Sequence, residues 1–439
     1  MHDDELALLG GTPVRTRPWP KWPRADTSTL RALQEVLDSS RWAVSGPYDG
    51  RECFERRFSR AFADFHEVGY CTPTTSGTTA LTIALTIALQ ALGVGRGDEV
   101  LVPGLTWVAC ASAAVNIGAV PILVDIDPQT LAMDPQQARA ACTPRTKAIL
   151  VVHPYCSVAD LDAFTQLSAD RGIPLIEDCA QAHGARWRGR PVGTFGAVGC
   201  FSMQQSKLLT SGEGGAVITA DPDLHQRLEQ LRADGRTFTD TPEPGRLELI
   251  ETATVQGRNA CLSEFQAAVL LDRLGHLDEE NAVRAERAEL LTQRVETMDG
   301  VESLPADPRV TTRTYYNFVL RFDRDRYAGN SIDAITRALS AELGTLVNPV
   351  YTPLNRHRLL CPAKIPRGDH TDRQWQSLDV SRHRLPEADT ARLTCATLTQ
   401  PVLLDQKDGI EDIVTALDKV RSHADKLLQT PQGASDQAF

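Results

Sequence analysis

Short apolar runs alternate with helical stretches through the first half of the chain. Val100–Val102, Pro121–Val124, Ala148–Val152, Pro174–Ile176, Val198–Phe201 and Ala216–Ile218 lack the polar alternation of a half-exposed strand, which is what strands covered on both faces require. Strands of that kind separated by helices predict a mostly parallel sheet sandwiched by helices. Leu30, Leu33, Val36 and Leu37 recur at helical spacing behind an Asp start, so a helix is expected over Asp26–Leu37, with the Pro-rich Pro18–Pro23 before it as an extended arm. The apolar stretch Ala80–Val94 is interrupted by Thr82, Thr86 and Gln90. It falls short of the roughly 20 residues of a membrane span and reads as a buried helix.

The second half is patterned differently. Leu262 to about Val295 reads as a long, charged connecting helix, Tyr315–Phe322 as a strand, Ser331–Leu343 as a helix ending at Gly344, and Asp408 to about Lys426 as a last helix. The expected division is an arm over 1–25, a large α/β domain over 26–270, a connector helix with a smaller α+β domain over 271–428, and a disordered tail over 429–439, where apolar residues are sparse.

Charge narrows the range of ligands. With 46 basic against 57 acidic residues in 439, a formal net charge of −11, the chain lacks the clustered Lys and Arg that nucleic acid or an anionic membrane surface demands. A small molecule is the expected ligand. The acidic start Met1–Glu5 lacks the basic opening of a secretory signal, and ten scattered cysteines with no C-x-x-C spacing fit reduced thiols in a cytoplasmic protein. No metal site is expected, His153 and His357 being isolated. Gly93–Gly97 precedes a strand rather than following one, so it is a helix stop and not a dinucleotide loop.

Candidate chemistry begins at Pro174–Asp178, an apolar strand that delivers a carboxylate to the edge where open α/β sheets bind ligands. Asp178 could equally be a helix cap. Cys200–Lys207 places a lysine among small hydroxyl and amide residues ahead of the Gly-rich turn Thr210–Gly215. Taken alone, Lys207 is a surface residue. Paired with an acid about 30 positions earlier, it matches what a pyridoxal phosphate enzyme needs: a Schiff-base lysine, and a carboxylate that keeps the pyridinium nitrogen protonated. Thr74–Thr79, with Gly77 and Thr78 ahead of a helix, offers hydroxyls and free N–H groups for a phosphate, or is a plain cap. Trp107 follows a strand and could stack on a cofactor ring or fill a core.

Together these elements resemble the DegT/DnrJ/EryC1/StrS sugar aminotransferases, a family of fold-type-I pyridoxal phosphate enzymes, over roughly Leu6 to Lys426. The segments Leu8–Pro13, Glu177–Ala185, Ser206–Gly215, Leu231–Arg236 and Pro353–His357 carry a closer likeness to the glutamine-dependent aminotransferases of scyllo-inosose and 2-deoxy-scyllo-inosose in aminoglycoside pathways. The resemblance implies that Lys207 carries pyridoxal 5'-phosphate, that Asp178 holds its ring nitrogen and that Gln181 lies near its phenolic oxygen. It further implies that Gly77, Thr78 and Ser202 hold the phosphate and that Trp107 covers the ring. A homodimer with shared sites is implied as well, with Asn259 reaching the partner's phosphate from a Gly-x-Asn-x-Arg pattern in which Cys261 stands here for Arg. Asn355 replaces a His of many sugar-nucleotide members. The implied reaction moves an amino group from L-glutamine, or glutamate, to a cyclic polyhydroxy ketone. A dehydrating or aromatising enzyme of the aminohydroxybenzoate type, a keto-sugar nucleotide aminotransferase and a cofactor-binding scaffold are the alternatives.

Overall fold

The computed structural model describes residues 5–75, 77–252, 254–360 and 379–427, with the side chains of residues 77–83 outside that description. Near the N-terminus, α1 (Thr27–Ser39) starts at a reciprocal cap between Asp26 and Thr29, and α2 (Phe54–Phe65) turns Phe58 and Phe62 inward. The main sheet is built from β1 (Tyr70–Thr74), β2 (Glu99–Pro103), β3 (Val120–Val124), β4 (Thr146–Val152) and β5 (Leu175–Asp178). After the two-residue strands β6 (Arg186–Trp187) and β7 (Arg190–Pro191), β8 (Val198–Ser202) and β9 (Gly215–Thr219) complete it. The order is β1-β9-β8-β5-β4-β2-β3, and β9 alone runs against the rest.

The unbroken apolar runs follow from cover on both faces. Val100, Val102, Leu150, Val152 and Ile176 pack with α3 (Gly77–Ala91) and α4 (Ala109–Asn116). Leu101, Ile149, Val151 and Leu175 pack the other way, with α5 (Pro135–Ala141) and α6 (Leu161–Arg171). Each fully buried side chain of this kind contributes about 1.5–3 kcal/mol, so both faces of the central strands hold the sheet. The expected strands are therefore all present, with ends shifted by a residue or two. β1 was not anticipated.

Beyond the sheet come α7 (Pro222–Arg232), the hairpin of β10 (Arg236–Phe238) and β11 (Leu249–Glu251), α8 (Glu264–Leu274) and α9 (Leu277–Val295). The single helix expected from Leu262 to Val295 is two. The N–H groups of Gly275 and His276 turn back to the carbonyls of Asp272 and Arg273, which tightens the end of α8 before α9 restarts on the His276 carbonyl. The C-terminal part is a four-stranded antiparallel sheet, order β12 (Val301–Ser303), β14 (Asn317–Phe322), β16 (Cys395–Thr399), β15 (Val347–Pro349). It is backed by α10 (Ile332–Leu343), capped by Ser331 and Gly344, and by the helix Lys407–Ser422. β13 (Val310–Thr312) leaves that sheet to pair with β6. The N-terminal arm is docked on this part: Arg15 lies 2.7 Å from Asp405 and 2.8 Å from Asp412, under the Trp19 ring. The expected tail 429–439 lies outside the described residues.

Candidate active site

The C-terminal ends of β2, β4, β5 and β8 converge on one edge of the main sheet. β5 ends in two carboxylates whose side chains part. Glu177 accepts backbone N–H from Gly193 (2.8 Å), Phe195 (2.7 Å) and Gly196 (2.7 Å). Its Oε2 also lies 3.3 Å from His153 Nε2, while His153 Nδ1 accepts from Ala159 N–H, so the ring proton sits on Nε2 and is donated to Glu177. His153 is thus not isolated, as its spacing had suggested: ligand atoms of His153, Glu177 and Cys179 lie within 4.8 Å of one another. Glu177 is nonetheless committed to four donors and acts as a latch on the 193–196 loop.

Asp178 faces the other way. Its Oδ1 accepts from Ala180 N–H at 3.0 Å and its Oδ2 from the Cys110 thiol at 3.0 Å. No helix follows, since Cys179–Gly184 is turn and irregular structure, so Asp178 is not a helix cap. It is 2% exposed. Burial pushes its carboxyl up, against the hydrogen bonds from Cys110 and Ala180 and the charge of the Lys207 ammonium.

Lys207 comes from the turn after β8 and is 9% exposed. Its backbone N–H closes that turn on Gln204 O at 2.8 Å, and its ammonium lies 4.1 Å from the centre of the Tyr316 ring. The Tyr316 hydroxyl is 2.9 Å from Ser206 Oγ. Burial raises the Tyr316 phenol, but the Lys207 ammonium and hydrogen bonds with Ser206, Lys207 and Tyr351 outweigh it and leave the group below its ordinary value. Tyr351 goes the other way, pushed well up by burial and by Tyr316, Tyr155 and Asp178. The two neighbouring phenols are thus pushed in opposite directions.

Gln181 ties these groups to β4. Its Nε2 donates to Tyr351 OH at 3.3 Å and its Oε1 accepts Tyr155 N–H at 2.6 Å. Tyr155, at φ +58°, stacks on Tyr351 with ring centres 5.4 Å apart and accepts Tyr351 N–H on its hydroxyl. The Tyr155 carbonyl takes the N–H groups of Tyr316 and Asn317, which is why β14 starts at Asn317 rather than at Tyr315 as expected. Trp107, 36% exposed, closes the wall 5.8 Å from Tyr351.

On the expected phosphate side, Ser202 is buried at the end of β8, with its Oγ accepting from Gln204 N–H at 3.4 Å. α3 begins at Gly77 and packs on β8. Ser76 and the side chain of Thr78 lie outside the described residues, as does any close approach at Gly77. Thr75 N–H donates to Ala260 O, which sets the Asn259 segment beside this loop. Asn259 is exposed and bridges Ala233; α8 is capped instead by Ser263 and Gln266. Cys261 gives its thiol to Arg232 O at 3.5 Å. Asn355 donates to His383 O, within a segment hung from Gly104 O by Leu354 N–H.

Four residues of this edge were not singled out from sequence: Cys110, Tyr155, Tyr316 and Tyr351. Cys110 follows Trp107 by three positions, and Tyr155 follows the end of β4 by three, so both carried a positional signal. Tyr316 and Tyr351 arrive from the distant C-terminal part and carried none.

The DegT/DnrJ/EryC1/StrS aminotransferase family matches residues 23–372. An L-glutamine:2-deoxy-scyllo-inosose aminotransferase of Streptoalloteichus tenebrarius is 50% identical over 423 residues, covering 96% of this chain and 99% of the relative. An L-glutamine:scyllo-inosose aminotransferase of Streptomyces griseus is 47% identical over 419 residues, covering 95% and 98%. Among solved structures, 3-amino-5-hydroxybenzoic acid synthase superposes with a TM-score of 0.77 at 31% identity, over 93% of this chain and 100% of that one. DesV of S. venezuelae, solved in complex with a ketimine intermediate, gives 0.72 at 31%, over 92% and 99%. The chain belongs to the DegT/DnrJ/EryC1/StrS aminotransferase family.

Proposed function

We propose that this chain transfers the amino group of L-glutamine to a cyclic polyhydroxy ketone, scyllo-inosose or 2-deoxy-scyllo-inosose, with pyridoxal phosphate held by Lys207 and Asp178. The observation that carries the reading is the meeting of the Lys207 amine and the buried Asp178 carboxylate at one sheet edge, walled by Trp107 and three tyrosines. The described donor set fits the cofactor: an amine for its aldehyde, a carboxylate for its ring nitrogen, Gln181 for its phenolic oxygen, and Ser202 with the backbone start of α3 for its phosphate, where the family resemblance also puts Gly77 and Thr78. When bound, pyridoxal phosphate supplies an electron sink. Asp178 would keep a proton on the ring nitrogen, and Lys207 would hold the cofactor and, once its Nζ is free, take up and return the proton within each half of the transfer. The Lys207 ammonium lies over the Tyr316 ring, and Trp107, beside Tyr351, would cover the bound cofactor ring. Aromatic walls bearing hydroxyls suit a ring whose faces are apolar and whose rim is hydroxylated.

The relatives at 47–51% identity are named for inosose substrates, whereas the aminohydroxybenzoate synthase stands at 31%, which favours amino transfer to a cyclitol over aromatisation. A glutamine-dependent assay against keto-cyclitols and 4-keto sugar nucleotides, read by mass spectrometry, tests this. Gain of an amino group on the inososes is expected. Loss of water without nitrogen transfer would overturn it.

The working unit we infer is a homodimer with Asn259 of each copy entering the partner's site. Asn259 is exposed, and Trp42 (53% exposed), Leu247 (52%) and Ile250 (46%) offer exposed apolar side chains to a second copy, the segments of Trp42 and Leu247 being tied in by the bridges Ala43–Ser263 and Pro47–Leu247. Nine described cysteines are free thiols, in keeping with a cytoplasmic location. Among the described residues no helix is long and apolar enough to cross a membrane.

A further inference from the structure

Asp178 is gripped from two elements. Ala180 N–H reaches Oδ1 from the turn that follows β5, and the Cys110 thiol reaches Oδ2 from the first turn of α4, each at 3.0 Å. Cys110 is wholly buried, and its sulfur lies 3.5 Å from Thr106 Oγ1, so Thr106, Cys110 and Asp178 form a short chain of polar contacts through an otherwise Ala-rich helix start. Burial and the neighbouring carboxylate push the thiol well up, so its proton stays on sulfur and is available to donate. A thiol is a weak donor to a neutral acceptor. Against a charged acceptor in a buried site the same contact gains strength.

We propose that Cys110 is a positioning residue for the transfer reaction: its thiol, offered from α4 to Oδ2, fixes the plane of the Asp178 carboxylate toward the ring nitrogen of the cofactor. This rests on the reading of Asp178 as the partner of that nitrogen. With Ala180 on one oxygen and Cys110 on the other, each carboxylate oxygen has one donor, and the remaining lone pairs are directed by those two bonds. α4 also follows directly on Trp107, so the residue that covers the ring and the residue that orients its nitrogen's partner lie within one turn of each other. The competing role for Cys110 is filler among Ala109, Ala111, Ala113 and Ala114, all buried.

Binding without turnover separates the two roles. Pyridoxamine phosphate and its analogue with carbon in place of the ring nitrogen are titrated into cofactor-free protein, and the ratio of their affinities reports the grip of Asp178 on the nitrogen. Cys110→Val removes the donor while filling the site with slightly more bulk, Cys110→Ala removes donor and bulk, and Cys110→Ser keeps a donor. Thermal unfolding of each variant is followed in parallel. The Val and Ala variants should lose roughly tenfold of the wild-type preference for the nitrogen compound, the loss of one hydrogen bond to a charged group, and Ser should retain most of it. A filler moves stability and leaves the ratio alone. Val and Ala variants that keep the wild-type ratio overturn the proposal, whatever their stability. A wild-type protein that binds both compounds equally overturns the reading of Asp178 and this proposal with it.

Discussion

The lysine that carries the proposed chemistry rests against an aromatic face, and Tyr316 is held there from both ends, by Ser206 on its hydroxyl and by Tyr155 on its backbone. Lys207→Ala should abolish transamination, and borohydride reduction of the cofactor-loaded wild type should label Lys207 alone in a peptide map. Label on another lysine would remove the assignment. Asp178→Asn should slow turnover by about 10²-fold or more, the scale of losing a preorganised charge at the reacting group, while cofactor affinity falls far less. Near-normal rates in that variant would return Asp178 to a structural role. Behind the site, His66 and His183 flank Phe201 and are buried neutral, lowered by burial to about 4 and about 3 respectively. Folded His66 stays unprotonated where an unfolded chain takes up a proton below about pH 6.5, so stability should fall as pH drops from there toward 4, by about 2 kcal/mol for this one ring at pH 5. Urea unfolding of wild type and His66→Phe across that window checks it. The variant should show a shallower loss.

Elements explain why the strands of the main sheet could be read in advance and β1 could not. Strands covered on both faces leave continuous apolar runs, whereas Tyr70–Thr74 is an edge strand that carries two Thr and tolerates Pro73 for want of a second neighbour. The split between α8 and α9 left no such mark, because Gly275 keeps a helical φ and only its hydrogen bonding departs from the helix. Likewise Asp178 and Lys207 stood out through their place after apolar strands, while Tyr316 and Tyr351 reach the edge only because the C-terminal sheet folds back over it. Two element-scale predictions follow from contacts near β8 and β1. Gly199 on β8 faces Gly193, and an added Cβ would meet that carbonyl oxygen at 2.3 Å, so Gly199→Ala should destabilise by about 1–3 kcal/mol and loosen the strand that leads to Lys207. Arg232 of α7, 1% exposed, pairs with Glu55 of α2 and Glu229 and donates to Pro73 O at 3.2 Å. Arg232→Met would strand two buried carboxylates and should cost about 3–5 kcal/mol in denaturant unfolding.

At the scale of the molecule, the proposed homodimer predicts how activity is shared. Lys207→Ala and Asn259→Asp should each be inactive alone, the second by setting a negative charge against the phosphate. Mixed under subunit exchange, they should form hybrids with one wholly native site and recover up to roughly half of a dimer's activity. No recovery despite proven exchange, or a fully active monomer at high dilution, would leave each chain with a site of its own.

The parting of Glu177 and Asp178 makes the catalytic identity of this edge a matter of parity. Side chains alternate along a strand, so a slip of β5 by one position would present the longer carboxylate to the site and bury the shorter one against the 193–196 loop. The four donors on Glu177 act as an index mark that holds the count. An insertion in the turn before β5, at the Gly172 helix end, should therefore swell the turn and leave the frame of the strand untouched, whereas weakening the Glu177 latch would put that frame at risk without altering any residue that meets the substrate.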